Sequence, residues 1–403
     1  MHKPLEGIRV LEWGTFHAGP GGPAILADMG AEVIKIEQPG IGDPARHAIQ
    51  YKGINFRWGK DRNIFFECSN RGKKSVTVNI AHDEGKEIVY KLVEKSDVFF
   101  TNLRLKTVKK MRMDYNILKG LKSDLIYAYV TPYGPQGLDA GKGAFDFQAQ
   151  GRSGLMYNMG ELGMPPVLAH FGLIDQATAI MASYQIVVAL LMRERFGKGQ
   201  EVNVSLLSTA SYLMYINNLT TLLTGREIPR HEQANGDPLR NYYQCKDGKW
   251  VIHTQLQRKG KWEEVCELLG HPELLNDTRY DSPEKRLDKS RELVAIFNKA
   301  FLTKTCDEWV RLFAKKDLII SPVNTTKETL NDPQMIENEY IVDFDHPEMG
   351  KVKILGFPIH FSQADVNNNF LAPRLGEHTD RVLKEVADYS DEEIARFRKN
   401  KII

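Results

Sequence analysis

The chain has 403 residues, 42% of them hydrophobic and 26% charged, which is the composition of an ordinary folded enzyme, excludes a disordered or fibrous class, and leads us to expect two domains. Lysine and arginine number 54 against 52 acids, a net charge of +2, so no global field exists to hold nucleic acid or an anionic membrane, and any anion site must be local. Cys68, Cys245, Cys266 and Cys306 lie far apart with no C-x-x-C pair, which argues against a zinc ribbon, a redox motif or a disulfide framework and for a reducing cytoplasm.

Met1-His2-Lys3-Pro4 leads directly into an apolar strand over 7–11, without the pattern of a signal or transit peptide. Gly19-Pro20-Gly21-Gly22-Pro23, a helix pattern over 24–29 and a strand over 33–37 complete a βαβ opening. A strand over 75–79, a helix over 83–95, a strand over 98–100, a helix over 107–113 and a strand over 125–130 continue the alternation. Such alternation predicts an α/β fold with a mostly parallel sheet covered on both faces. The apolar stretch 177–192 is interrupted by Thr178, Ser183, Tyr184 and Gln185. It is expected to be a buried helix, too short and too polar to span a bilayer, running to 196 and stopped by Gly197-Lys198-Gly199. After a strand over 201–204, residues 206–223 read as a continuous apolar helix leading out of the domain. Between 226 and 325 a hairpin (242–246 and 250–254, turning at Asp247-Gly248) and helices over 261–269, 290–301 and 306–315 indicate a smaller α+β domain. A strand over 351–355 and a helix over 380–387 close the chain.

The glycine loop fits G-x-G-x-x-A between a strand and a helix, with Glu37 eighteen residues beyond Gly19. On those residues alone a dinucleotide-binding oxidoreductase is one reading. A tight structural turn is the other, because Pro20 and Pro23 have no N–H to give a phosphate. Asp175, at the head of the apolar helix, reads first as an N-cap. No H-E-x-x-H or comparable metal cluster is present in the sequence.

The opening (Gly7-Ile8-Arg9-Val10-Leu11, Ala18-Gly19-Pro20, Met29 through Glu37), Tyr133-Gly134-Pro135, Gly197-Lys198-Gly199-Gln200 and Leu375-Gly376-Glu377-His378-Thr379, taken in order, resemble the class III CoA-transferases, the family of formyl-CoA:oxalate and carnitine CoA-transferases. The resemblance implies a Rossmann-like CoA-binding domain built from N- and C-terminal segments, 1–205 and 346–403. Linkers at 206–225 and 326–345 would flank the inserted small domain at 226–325, and two chains would interlock as a homodimer. The substrates would be an acyl-CoA and a carboxylic acid, with no permanently bound cofactor. Asp175 then stands at the family's nucleophilic aspartate, attacking a thioester to give a mixed anhydride and then an aspartyl-CoA thioester; the helix dipole is expected to favour its carboxylate form. Asp146 matches an acidic position that raises the proton affinity of Asp175 or orients it, and His17 a polar active-site position able to donate to a thioester or anhydride oxygen.

For CoA the same resemblance implies contacts from Gln38, Val78, Ala81, Asn102, Leu103, Arg104, Lys110 and Met111. Arg104, Lys106, Lys109, Lys110 and Arg112 form a local positive excess suited to phosphates, or else an ordinary solvated helix face. The family's formyl-CoA members carry a glycine-rich loop over the site, and no run of glycines occurs between Gly225 and Gly260; Asn235-Gly236-Asp237-Pro238 is the one candidate turn there. An α-methylacyl-CoA racemase is the rival within the superfamily. It needs a histidine where this chain has Phe145, unless His170 substitutes. Phe145, Met156, Tyr157 and Met159 point to an aryl or branched acid, including a 2-hydroxy acid.

Overall fold

The computed structural model describes residues 2–47, 50–59, 62–255 and 260–403. The chain divides into two compact units. The first contains Met1–Tyr157, Leu168–Glu227 and Asn338–Ile403, and the second Asn158–Val167 and Ile228–Glu337.

In the first unit β1 (Arg9–Trp13), β2 (Glu32–Glu37), β3 (Lys74–Thr77), β4 (Val98–Thr101), β5 (Ile126–Thr131) and β6 (Gln200–Ser205) form one sheet. Their order is β6-β5-β4-β1-β2-β3, and every neighbouring pair is parallel. Helix α1 (Gly21–Asp28) follows β1, and α2 (Ile64–Asn70) precedes β3. Helices α3 (Asp83–Glu94), α4 (Leu105–Lys110) and α5 (Tyr115–Leu121) lie in the crossovers to β4 and β5, and α6 (Asp146–Arg152) and α7 (Leu173–Phe196) in the crossover to β6.

Strands β1, β2, β4 and β5 are buried along nearly all of their length because both faces of the sheet are covered. Leu11, Ile34, Val76, Phe99 and Tyr127 join one core cluster with Ile88, Val89 and Leu92 of α3. Their neighbours along the same strands, Val10, Val33, Val98, Phe100 and Ala128, join another with Leu26 of α1 and Ala182, Ile186 and Ala189 of α7. This division follows from the period of two along a strand.

Two features differ from the sequence expectation, and a third, the place of the tail strand, was left open by it. Helix α7 has 24 residues and is long and apolar enough, by length and composition alone, to cross a membrane; in the fold one face packs on the sheet, while Ile180, Tyr184 and Phe196 are exposed. The segment read as one connecting helix is two, α8 (Leu206–Leu213) and α9 (Tyr215–Thr224), broken at Met214; Ile216, Leu222 and Leu223 on α9 also face outward. The tail strand does not enter the main sheet. It pairs as β11 (Gly350–Leu355) with β10 (Ile341–His346) in a separate hairpin, and the C-terminal segment reaches the core through Val382 and Leu383 of α13 (Thr379–Glu385) and Ile394 and Phe397 of α14 (Asp391–Lys399).

The second unit is α+β. Antiparallel β7 (Arg240–Gln244), β8 (Trp250–Thr254) and β9 (Ile320–Pro322) pack with α10 (Lys261–Leu269), α11 (Ser290–Phe301) and α12 (Cys306–Ala314) around an apolar core. The ring of Tyr243 stacks on Phe301 at 4.6 Å. His253 is fully buried among Tyr243, Phe301 and Phe313. Residues 158–167 belong to this unit because Glu161 pairs with His231 and accepts a hydrogen bond from the Tyr242 hydroxyl.

Candidate active site

Strand β1 lies between β4 and β2, so the connections diverge there, and the crevice beyond the carboxyl ends of these strands is where parallel α/β sheets place their ligands. The loop leaving β1 rests on buried charges. Glu12 Oε1 lies 2.8 Å from Lys35 Nζ and Oε2 lies 2.5 Å from Lys73 Nζ, and all three side chains are fully buried. Lys35 also donates to the Gly14 carbonyl at 2.9 Å and pairs with Asp43 at 2.9 Å, while Lys73 donates to the Pro20 carbonyl at 2.8 Å. Burial opposes the charge on Lys35, but Asp43, Glu12 and Glu37 outweigh it and raise its pKa; at Lys73 burial wins and lowers the pKa to about 7. Both ends of the loop are thereby tied down from below.

This arrangement removes the dinucleotide reading. Glu37, the acid such a site would turn to a ribose, is buried and bound to Arg46 through both carboxylate oxygens at 2.8 and 2.7 Å, and it also accepts from Ser75 Oγ and the Asp43 N–H. The loop glycines serve helix packing. A Cβ on Gly21 would stand 2.7 Å from Ala179 Cβ, and one on Gly22 2.9 Å from Ala182 Cβ, so these positions let α1 approach α7 closely.

Asp175 is not the N-cap. Helix α7 begins two residues earlier, at Leu173, because Gly172 adopts the left-handed conformation (φ 75°) that ends the preceding loop. The cap is supplied from another helix: Asp146 Oδ1 accepts the backbone N–H groups of Ile174 at 2.6 Å and Asp175 at 3.0 Å, and its other oxygen accepts from Gln150. Asp146 therefore orients the main chain at Asp175. Half-buried Asp175 has its pKa raised to about 7, first by burial and then by the Asp146 charge. Both act against the carboxylate form that the helix dipole is expected to favour.

His17 lies beside this pair. Its Nδ1 is 2.6 Å from Ser69 Oγ and its Nε2 2.9 Å from Gln176 Oε1, so both nitrogens are engaged within the protein, and burial lowers its pKa. Neither Ser69 nor Gln176 stood out in the sequence, since both lie in ordinary helical patterns. Phe145 is 62% exposed and packs edge-on against Phe16 at 5.7 Å. His170 is exposed, and its Nδ1 contacts the Phe171 carbonyl at 3.1 Å.

The positions expected to meet CoA follow the carboxyl ends of the strands on either side of β1: Gln38 after β2, Val78 and Ala81 after β3, and Asn102, Leu103 and Arg104 after β4. Gln38, Ala81, Arg104 and Lys110 are exposed, whereas Leu103 and Met111 pack partly into the core. The Val78 side chain is buried, and its N–H donates to the Glu37 carbonyl. Asn102 clamps the β1 loop, accepting from the Thr15 N–H and donating to the Thr15 carbonyl, each at 2.9 Å. Among the described residues no group of three or more His, Cys, Asp or Glu is placed to hold a metal.

One further feature is a set of half-buried rings around Phe171, four residues before Asp175. Phe171 stacks on Tyr51 at 4.2 Å and lies 5.9 Å from Phe65, 6.2 Å from Phe147 and 6.4 Å from Phe56. Phe65 is 6.0 Å from the His17 ring. These rings come from four separate segments, so their convergence was not visible in the sequence.

Fold and site together define an α/β protein whose paired carboxylates, Asp146 and Asp175, stand beside the loop at the sheet's switch point. The chain belongs to CoA-transferase family III, whose model matches residues 5–379, and it is a class III CoA-transferase. It is 32% identical to the (R)-2-hydroxy-4-methylpentanoate CoA-transferase of Clostridioides difficile, over 99% of each chain. It is 30% identical to the cinnamoyl-CoA:phenyllactate CoA-transferase of Clostridium sporogenes, over 99% of this chain and 97% of that one. A crystal structure of a CAIB/BAIF family protein from Brucella suis matches with a TM-score of 0.85 at 29% identity, covering 96% of this chain and all of that one.

Proposed function

We propose that the enzyme exchanges CoA between an acyl-CoA and a free acid through Asp175. The carboxylate attacks the thioester carbonyl, the C–S bond breaks, and CoA leaves as thiolate from a mixed anhydride. The thiolate attacks the aspartyl carbonyl, releasing the donor acid and leaving an aspartyl-CoA thioester. The acceptor carboxylate then attacks this thioester, and the returning thiolate takes the acceptor acyl group, which restores Asp175. The observation that carries this reading is a half-buried carboxylate, pinned by Asp146 and with a pKa near neutrality: it is substantially ionised at pH 7 yet more basic than a surface aspartate.

The rings around Phe171 favour aryl or branched acids, including 2-hydroxy acids. Two relatives bear the names of a branched 2-hydroxy acid and of phenyllactate, which supports the same class. CoA is assigned to the loops after β2, β3 and β4, with Arg104 and Lys110 toward its phosphates. The exposed apolar side chains of α7 and α9 fit a second copy of the chain, in an interlocked homodimer. Four free cysteines suit a reducing cytoplasm.

The test is to incubate the protein with acyl-CoA in deuterated water, quench, digest and weigh the Asp175 peptide, while following the thioesters formed with added acids. A CoA adduct on Asp175 that is absent from Asp175→Asn, with new thioesters free of α-deuterium, is the expected result. Wild-type transfer by Asp175→Asn would remove Asp175 from the mechanism, and α-deuterium without exchange would make the enzyme a racemase.

A further inference from the structure

The head of α7 and the loop after β1 are joined by a chain of hydrogen bonds that the scheme above leaves unused. Ser69, on α2, is fully buried. Its Oγ lies 2.6 Å from His17 Nδ1 and 3.2 Å from the Phe65 carbonyl. Gln176 Oε1, 2.9 Å from His17 Nε2, can only accept, so a neutral ring carries its proton on Nε2 and the one proton of the serine hydroxyl goes to Nδ1 rather than to Phe65. The two bonds then run in one direction: Ser69 O–H to Nδ1, and Nε2–H to Gln176.

The His17 ring is held on its sides as well, with Gly21 on one flank and the Phe65 ring on another. Burial disfavours its protonation, as do Arg71 and Lys73 just beyond α2, while Asp146 on α6 favours it. With Oε1 occupied by His17, the NH2 of Gln176 turns away from the ring. Gln176 is exposed, and among the described residues this NH2 has no protein acceptor. It directly follows the proposed nucleophile in the chain. In such a series each bond polarises the next, which makes the terminal N–H groups stronger donors.

We propose that Gln176 is a catalytic residue of the CoA transfer, its NH2 donating to the carbonyl oxygen that gains negative charge as the thioester or anhydride is attacked, with Ser69 and His17 as the positioning residues that aim it. The inference rests on the reading of Asp175 as nucleophile. It also gives His17 a different task from direct donation to substrate, since its Nε2 proton is already committed to Gln176.

Steady-state kinetics of Gln176→Ala, Ser69→Ala, His17→Leu and His17→Gln provide the test. Loss of one oxyanion donor costs about 100-fold in kcat, so Gln176→Ala should lose about that much, with KM for acyl-CoA and the melting temperature nearly unchanged. Ser69→Ala and His17→Leu should fall in kcat in the same way. His17→Gln can accept from Ser69 and donate to Gln176, and it should recover most of the loss. Undiminished kcat in Gln176→Ala overturns the proposal, as does an equal loss in His17→Leu and His17→Gln. Nitrogen NMR of the wild-type enzyme at pH 7 is a second readout: His17 protonated on Nε2 alone supports the chain, and protonation on Nδ1 overturns it. The two readings fail separately. A wild-type enzyme that forms no adduct on Asp175 sinks the nucleophile, whereas a wild-type adduct with full turnover in Gln176→Ala sinks only the role of Gln176.

Discussion

Asp146 Oδ1 lies 3.0 Å from the backbone nitrogen of Asp175, so one carboxylate fixes the main chain of the other while its charge opposes the other's ionisation. As the proposed nucleophile Asp175 would attack only when ionised, and its pKa is raised to about 7. We therefore expect kcat/KM to rise with pH through neutrality and level off above it. Asp146→Asn removes the second of the two causes and leaves burial, so the rise should move to lower pH without reaching the range of a surface aspartate. A pH–rate profile checks this, and an unmoved limb would break the coupling.

Removing the cap altogether should cost stability. Asp146→Ala leaves the N–H groups of Ile174 and Asp175 without their acceptor and the Gln150 amide with only the His170 carbonyl, a loss of about 1–2 kcal/mol for a helix cap. Asp146→Asn keeps a cap oxygen and should lose less. Denaturant melts of the two variants give the comparison.

The second unit should weaken in mild acid. Burial lowers the pKa of His253 from 6.5 to about 4, so between these values the unfolded chain binds a proton that the folded one does not. The stability due to the neutral ring is complete above pH 6.5 and is lost as the pH falls toward 4, amounting to about 3 kcal/mol at roughly 1.4 kcal/mol per pKa unit. His253→Phe, which suits the surrounding rings, should flatten that slope in pH-dependent unfolding. An unchanged slope would place the acid sensitivity elsewhere.

Substrate preference should respond to Phe171. Truncation to alanine removes the ring that contacts Tyr51, Phe56, Phe65 and Phe147. We expect kcat/KM for phenyl-bearing and branched acids to fall about tenfold or more, in line with one to three kcal/mol for a lost apolar contact, with small acids much less affected. Uniform loss across an acid panel would mark Phe171 as structural only.

Glu12 is the shared counter-ion of two buried lysines. Glu12→Ala leaves Lys35 with Asp43 and the Gly14 carbonyl and Lys73 with only neutral acceptors, and breaking a buried pair in this way costs about 3–5 kcal/mol. Calorimetry should show a large drop in melting temperature, and a drop confined to a degree or two would mean that water reaches the cluster.

Much of the sheet could be read from the chain because both faces of its strands are buried: the strand and helix patterns over 33–37, 83–95 and 98–100 fall within a residue or two of β2, α3 and β4. Asp175 and Asp146 stood out through resemblance, not through spacing. What escaped the sequence depends on contacts between distant segments. Asp146 caps a helix 28 residues away, and a capping rule read locally assigned that task to Asp175. Glu37 looked free for a ribose because nothing nearby in the sequence announced that Arg46 and Ser75 would fold onto it. Residues 158–167 belong to the second unit through Glu161, whose partners lie about 70 to 80 residues onward.

The seam where Gly21 and Gly22 meet Ala179 and Ala182 also bears on how such a scaffold can diversify. One added methyl there would push on a rod about 36 Å long whose first turn carries Asp175, so the displacement would reach the proposed nucleophile. The stacked rings of Phe171 and Tyr51 are only half-buried and can be exchanged one at a time. On the proposed function, exchange of those rings would change the acid that is taken, while the four small residues hold the head of α7, and with it Asp175, in place.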